Sequence, residues 1–267
     1  MKTVVVTGSS KGIGLGLASE FLKKGCNVVL SSFAKEEMER EYRKACEIYG
    51  KDHVASQACD VSSIEQLKQL WQTAKETFGS VDIWMNNAGI TNTTRPLWEL
   101  DTAEIPRVVR TNLTGVIYGT QVPLQGMLKQ GSGQIYNSEG FGSDDMVLMG
   151  LSIYGATKRA GRYFTESVAA EVDGKPVQVG TISPGIVLTD FLLDDVRKMS
   201  PEQREQAKTV YNIMADDVET VTPWLVEEVL KNTENGKRIL WLTQERVDAY
   251  MQDEQRMARD VFSKHGL

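Results

Sequence analysis

The sequence predicts one α/β domain built on a doubly wound parallel sheet of about seven strands, with helices on both faces. Three observations support it. Short β-branched runs alternate with amphipathic segments, a glycine-rich turn follows the first run at once, and 267 residues at 41% hydrophobic content can bury one large core. Strands joined through helices cross over right-handed into a parallel sheet, and ligands then meet the carboxyl ends of the strands.

Taken in order, Thr3–Thr7 reads as the first strand. Leu15, Ala18, Phe21 and Leu22 then recur at helical spacing and stop at Gly25, a residue suited to a helix end. Val28–Ser31 and Val54–Cys59 are the next strands. Ile64, Leu67, Leu70, Trp71, Ala74 and Phe78 form a second stripe, closed by Gly79, ahead of a strand at Ile83–Asn86. Asp101 and Glu104 have the spacing of a capping box that opens another helix. Gln134–Asn137, Val177–Ile182 and Arg238–Leu242 complete the strands. The stretches 140–152 and 188–215 read as irregular and are long enough to be functional loops. A C-terminal helix is expected at about 245–264, where acids and bases surround Val247, Tyr250, Met251, Met257, Val261 and Phe262. That charge balance suits packing on the same or a partner subunit better than binding an anionic membrane.

Composition removes several function classes. A net charge of −6 and only two histidines, His53 and His265, argue against a nucleic-acid surface, histidine catalysis or a zinc site. Cys26, Cys46 and Cys59 lack metal-ligand spacing and read as reduced core residues of a cytosolic protein. No apolar stretch approaches the ~20 residues needed to span a bilayer, and no targeting segment is seen, so a cytoplasmic location is expected.

Two short segments point to chemistry. In TGSSKGIG, residues 7–14, Gly8 permits a tight turn, Gly12 lets backbone amides approach an anion, and Gly14 allows helix and sheet to pack closely. The helix N-terminus then favours a pyrophosphate, although many strand-to-helix turns need glycine and bind nothing. In YGATK, Tyr154 and Lys158 share one helix face. An ammonium beside a phenol favours the phenolate, although the two residues also meet at this spacing by chance.

The GxxxGxG spacing resembles the short-chain dehydrogenase/reductase superfamily, and further segments extend the resemblance: NNAG at Asn86–Gly89, Asn112 in TNLTG, the Tyr154–Lys158 pair, and SPGIVLT at Ser183–Thr189. The resemblance implies a Rossmann-type fold and reversible reduction of a carbonyl to an alcohol with a nicotinamide cofactor. It places the cofactor on Gly8, Ser10, Lys11, Gly12, Ile13 and Gly14, then on Ser32, Asp60, Val61, Asn87, Ala88 and Gly89. Tyr154, Lys158, Pro184, Gly185, Val187 and Thr189 complete that set. Tyr154 is implied as the proton donor, Lys158 as the group that lowers its pKa and binds the ribose, and Asn112 as holder of a relay water. The superfamily's usual serine is missing: the fifth strand runs into NSEGFGS, its register lands on Gly140, and Ser138 and Ser143 flank that position. Both serines stay candidates, and Glu139 reads as a solvent-facing loop carboxylate. No acid directly follows Leu30, and Lys11 adds a cation to the glycine loop, so NADPH is expected over NADH.

YGATKR, SPGIVLTDFLL, NIMADDVETVTPWLV and GKRILWLT, together with Asn137–Ser143, look like the chlorophyll(ide) b reductases. In that comparison Ser143 is slightly preferred over Ser138. The resemblance implies reduction of a 7-formyl to a 7-hydroxymethyl group on a bulky hydrophobic substrate, with a general carbonyl reductase as the alternative. A dinucleotide-binding sensor, the remaining class, has no use for the Tyr–Lys pair. Met146, Val147, Leu148, Met149, Leu151, Phe191, Leu192 and Leu193 either floor an apolar pocket or pack into core. A homodimer or homotetramer is expected.

Overall fold

The structure is a computed structural model that describes residues 1–144 and 146–266. Its central sheet has the order β3-β2-β1-β4-β5-β6-β9, and every neighbouring pair is parallel. The strands are β1 (Thr3–Thr7), β2 (Asn27–Ser32), β3 (Val54–Ala58), β4 (Ile83–Asn86), β5 (Gly133–Ser138), β6 (Val177–Ser183) and β9 (Arg238–Leu240). All seven coincide with the runs expected from sequence, within a residue or two at their ends. The winding reverses between β1 and β4, so the loops leaving their carboxyl ends diverge and open a cleft there.

Side chains alternate across the strands and divide the core into two layers. Val4 and Val6 of β1 face a layer with Leu17 and Phe21 of α1 (Gly12–Lys23) and Val221, Leu225 and Val229 of α9 (Val218–Lys231). Val5 faces the other, with Leu67 and Leu70 of α3 (Ile64–Phe78), Met127 of α5 (Gly115–Gln130) and Val168 of α6 (Ser152–Glu171). The buried stripe of α1 runs through Gly14, Leu17, Ala18, Phe21 and Leu22. Leu15, expected in it, is only half-buried, because the GIGLGLAS start offers two leucines and the tilt of the helix selects Leu17.

Three further expectations need correction, and one helix has no signal in the sequence. The capping box is absent: Glu104 begins α4 (Glu104–Val109), but Asp101 accepts from Ala103 N at 2.9 Å, while Glu104 Oε2 accepts from Thr93 N at 2.7 Å. Asp101 closes a local turn, and Glu104 is drawn to a neighbouring loop. The charged α2 (Lys35–Tyr49) carries no clear apolar stripe in the sequence, since it buries only Met38 fully. The segment 188–215 is largely helical, with α7 (Asp190–Lys198) and α8 (Pro201–Met214). A capping box of Ser200 and Gln203 starts α8, which follows Ser200 directly with proline. The tail is two helices, α10 (Gln244–Met251) and α11 (Glu254–Ala258), because Asp253 caps the second by accepting from Gln255 N and Arg256 N.

One buried carboxylate gathers several of the contacts that hold the tail on the fold. Strands β7 (Val187–Leu188) and β8 (Asp216–Asp217) form a small parallel ladder, and Asp216 accepts from Trp241 Nε1 at 2.7 Å, Tyr250 Oη at 2.8 Å and Arg256 Nη2 at 2.6 Å. The Arg246 guanidinium adds a stacking contact, 3.7 Å from the Trp241 ring centroid.

Candidate active site

A cleft of about 820 Å³ opens where the winding reverses. The loop from β1 to α1 forms one wall. Gly8 has φ +66°, and a Cβ there would lie 2.8 Å from Ala88 Cα; at Gly14 it would lie 2.2 Å from Gly8 O. Only glycine allows this turn to close against its neighbours. Ser9 Oγ accepts from Ser31 N and donates to Val6 O, both at 2.8 Å, which ties the loop to β2. Thr7 Oγ1 accepts from Asn87 N at 3.0 Å and Ala88 N at 3.1 Å, so the NNAG turn is fastened to the end of β1.

Of the expected cofactor residues, Gly8, Ser10, Lys11, Gly12, Ile13, Gly14, Ser32, Asp60, Val61, Asn87, Ala88, Gly89, Tyr154, Lys158, Pro184 and Thr189 all line the cleft. Gly185 and Val187 do not. A Cβ on Gly185 would lie 2.7 Å from Leu242 Cγ, and Val187 is buried in the small ladder, so both support the wall from behind.

The reacting end of the cleft is formed by α6. Lys158 is 8% exposed, its Nζ donates to Ser138 O at 3.0 Å, and the same atom lies 5.7 Å from the Tyr154 ring centroid. The Tyr154 ring is half-buried against Phe191, with centroids 6.2 Å apart. Burial pushes the Tyr154 phenol up to about 12. Burial also pulls the Lys158 ammonium down to about 8, against the opposing pull of Glu139. The expected drift of Tyr154 toward phenolate is not seen in the protein alone, because burial penalises the charged form. Tyr154 stands protonated at neutral pH, as a proton donor must.

Asn112 lies in a π-helical segment, Arg110–Thr114, between α4 and α5. Its Oδ1 accepts from Ile90 N at 2.9 Å and its Nδ2 donates to Ile90 O at 2.8 Å. The side chain thus clamps the loop after NNAG. Behind Lys158 is an inner cavity of about 10 Å³, lined by Asn112, Ser138, Glu139, Thr157, Lys158 and other polar residues. That is room for about one water.

Ser143 does not reach the cleft. It is 2% exposed, its Oγ accepts from Gly140 N at 3.1 Å, and it closes the turn that begins at Gly140. Ser138 does line the cleft, and its buried Oγ has no hydrogen-bond partner among the described residues. Gly140, where register would place the superfamily's serine, presses on the tyrosine: a Cβ there would lie 2.4 Å from Tyr154 Oη. Glu139 is not solvent-facing. It is 6% exposed and accepts from Arg238 Nε at 2.7 Å, Arg238 Nη2 at 2.6 Å and Thr181 Oγ1 at 2.7 Å.

Three sets of cleft groups have no signature in the sequence: Glu37, Phe33 and the arginines Arg107 and Arg110. Glu37 Oε2 lies 3.4 Å from Ser10 Oγ, so an acid does stand at the far end of the cleft, contributed by α2 rather than by the end of β2. Among the apolar slot candidates only Phe191 lines the cleft; Leu192 and Leu193 pack into a small core with Val196 and Phe262. Met146–Met149 are exposed, on a loop anchored where Asn92 Nδ2 donates to Gly150 O at 2.8 Å.

Residues 2–200 match the short chain dehydrogenase family. The chain is 37% identical over 231 residues to a chloroplastic chlorophyll(ide) b reductase of Arabidopsis thaliana, covering 85% of this chain and 64% of that one. It is 34% identical over 262 residues to a chloroplastic protein of Oryza sativa subsp. japonica named as a probable chlorophyll(ide) b reductase, covering 92% and 51%. The chain thus spans about half to two thirds of the length of these relatives. The crystal structure of levodione reductase has the same fold, with a TM-score of 0.82 at 24% identity, covering 92% of this chain and 97% of that one. Fold, glycine loop, Tyr–Lys pair and family match agree: this chain belongs to the short-chain dehydrogenase family, whose members are NAD(P)-binding oxidoreductases.

Proposed function

We propose that this protein is an NADPH-preferring carbonyl reductase that converts a bulky conjugated aldehyde, of the chlorophyll(ide) b type, to its alcohol. The observation behind this reading is the convergence of Tyr154, Lys158 and Ser138 on one end of a cleft whose other end is the glycine loop. The cleft fits a dinucleotide: its glycines let the β1–α1 turn close against the NNAG turn at the start of α1, where backbone amides can meet a pyrophosphate, and Lys158 supplies a cation for the ribose. When bound, the dihydronicotinamide supplies the hydride that the carbonyl carbon accepts.

The protein's own part is positional and acid–base. Ser138 Oγ, lacking a partner among the described residues, donates to the substrate oxygen. Tyr154 gives its proton to that oxygen as charge develops there, and the Lys158 ammonium stabilises the phenolate left behind. Water in the inner cavity then links Lys158 to a proton supply. The expected homodimer or homotetramer and the cytoplasmic location belong to this proposal; the two plant relatives are chloroplastic. Among the described residues no helix is long and apolar enough to cross a membrane.

Because Phe191 alone of the slot candidates lines the cleft, a general carbonyl reductase is the second reading. A panel of aldehydes of increasing ring size separates the two. Catalytic efficiency should rise with the size of the conjugated ring; a preference for the smallest members would favour the general reductase.

Cofactor choice gives a further prediction. Lys11 and Glu37 line the same end of the cleft and act on a 2′-phosphate with opposite sign. Lys11→Ala should weaken NADPH several-fold, about 1 kcal/mol, and leave NADH nearly unchanged. Glu37→Gln should strengthen NADPH by a similar factor. Fluorescence titrations of both cofactors decide it; equal NADPH and NADH affinities in all three proteins would remove the electrostatic argument.

A further inference from the structure

We propose that Glu139 is a positioning residue for Lys158: clamped by Arg238 and Thr181, it presents a fixed negative charge to the lysine across the inner cavity. The clamp is built into the sheet. Glu139 directly follows Ser138, whose carbonyl accepts from Lys158 Nζ at 3.0 Å, and Glu139 N donates to Ile182 O at 2.8 Å, extending the β5–β6 ladder. Its two oxygens take the bidentate Arg238 pair and the Thr181 hydroxyl. Such a set of donors fixes the carboxylate in one position.

Glu139 and Lys158 line the same inner cavity. The other charges around it are Arg162, one turn further along α6 and paired with Glu166, and Arg238 behind the carboxylate; α5 and the π-helical segment contribute only Val116 and Asn112. Among the described residues Glu139 is thus the one acid lining the inner cavity, while on its other side Lys158 lines the main cleft with Tyr154, Glu37, Asp60 and Asp190. The charge of Glu139 opposes the loss of the lysine's proton to burial. Stability alone is a poor reason for the arrangement, since apolar residues replace buried ion pairs at little cost.

The link to turnover rests on the reductase reading of Tyr154 and Lys158, whereas the charge relation is a property of the protein without substrate. Two measurements keep them apart. The Lys158 titration can be followed by NMR of the protein carrying carbon-13 lysine, with the signal assigned by its loss in Lys158→Met. In Glu139→Gln the midpoint should fall by about one pH unit, and Glu139→Asp should restore most of it. The alkaline limb of kcat for aldehyde reduction should move with it, in the same direction. The double variant Glu139→Gln/Arg238→Gln leaves neither charge buried alone; it should also titrate lower, and it serves if the single variant does not fold. An unchanged Lys158 midpoint in a folded variant overturns the proposal. A shifted midpoint with an unshifted kcat profile upholds it and overturns the assigned role of Lys158 in turnover.

Discussion

Tyr154→Phe should lower carbonyl reduction by ~10²–10⁴ while leaving NADPH affinity within a few-fold of the parent. The phenol carries the proton at neutral pH, and the Lys158 Nζ stands 5.7 Å from its ring centroid to stabilise the charge that remains after transfer. Phenylalanine keeps the ring packing on Phe191, so the fold and the cofactor walls stay as they are. Pre-steady-state reduction of a simple aromatic aldehyde, with a parallel cofactor titration, separates chemistry from binding. Turnover within a few-fold of the parent would remove Tyr154 from the reaction.

Gly140→Ser should also disable the enzyme, although it restores the residue that strand register leads one to expect. A Cβ at 140 would lie 2.4 Å from Tyr154 Oη and 3.2 Å from Lys158 Cε, so the tyrosine must shift. A displacement of about 1 Å at the reacting centre costs on the order of 10²-fold in turnover. Gly140 has no positive φ, so the backbone itself accepts serine and thermal unfolding should change little. Parent-like or raised turnover would mean that the new hydroxyl takes up the carbonyl and that Ser138 is dispensable.

Most of the fold is legible in the sequence because its signals are local. TVVVT or NVVL declares a buried parallel strand in a few residues, and a glycine loop, an NNAG turn and a YGATK helix each sit whole within one connection or one helical turn. What escapes depends on distant partners. Glu139 meets Arg238, 99 positions away, and without that partner a carboxylate between a serine and a glycine reads as solvent-exposed. Glu37 lies within the charged run of α2, where nothing distinguishes the acid that turns toward Ser10 from those facing solvent. The resemblance leans to Ser143, whereas Ser138 lines the cleft, because the turn starting at Gly140 buries the Ser143 hydroxyl and is not legible in the sequence. The helices in 188–215 and the break at Asp253 are hidden for a related reason: the caps of α8 and α11 are clear once helices are assumed, but the apolar stripes are short.

The central claim is that Tyr154, Lys158 and the cleft they face reduce a large conjugated aldehyde. Purified protein incubated with NADPH and chlorophyllide b tests it most directly. The pigment should be converted to its 7-hydroxymethyl product, with a shift in absorption as the formyl group leaves conjugation and with one NADPH consumed for each pigment reduced. Chlorophyllide b left untouched, while small aldehydes are reduced rapidly under the same conditions, would contradict it.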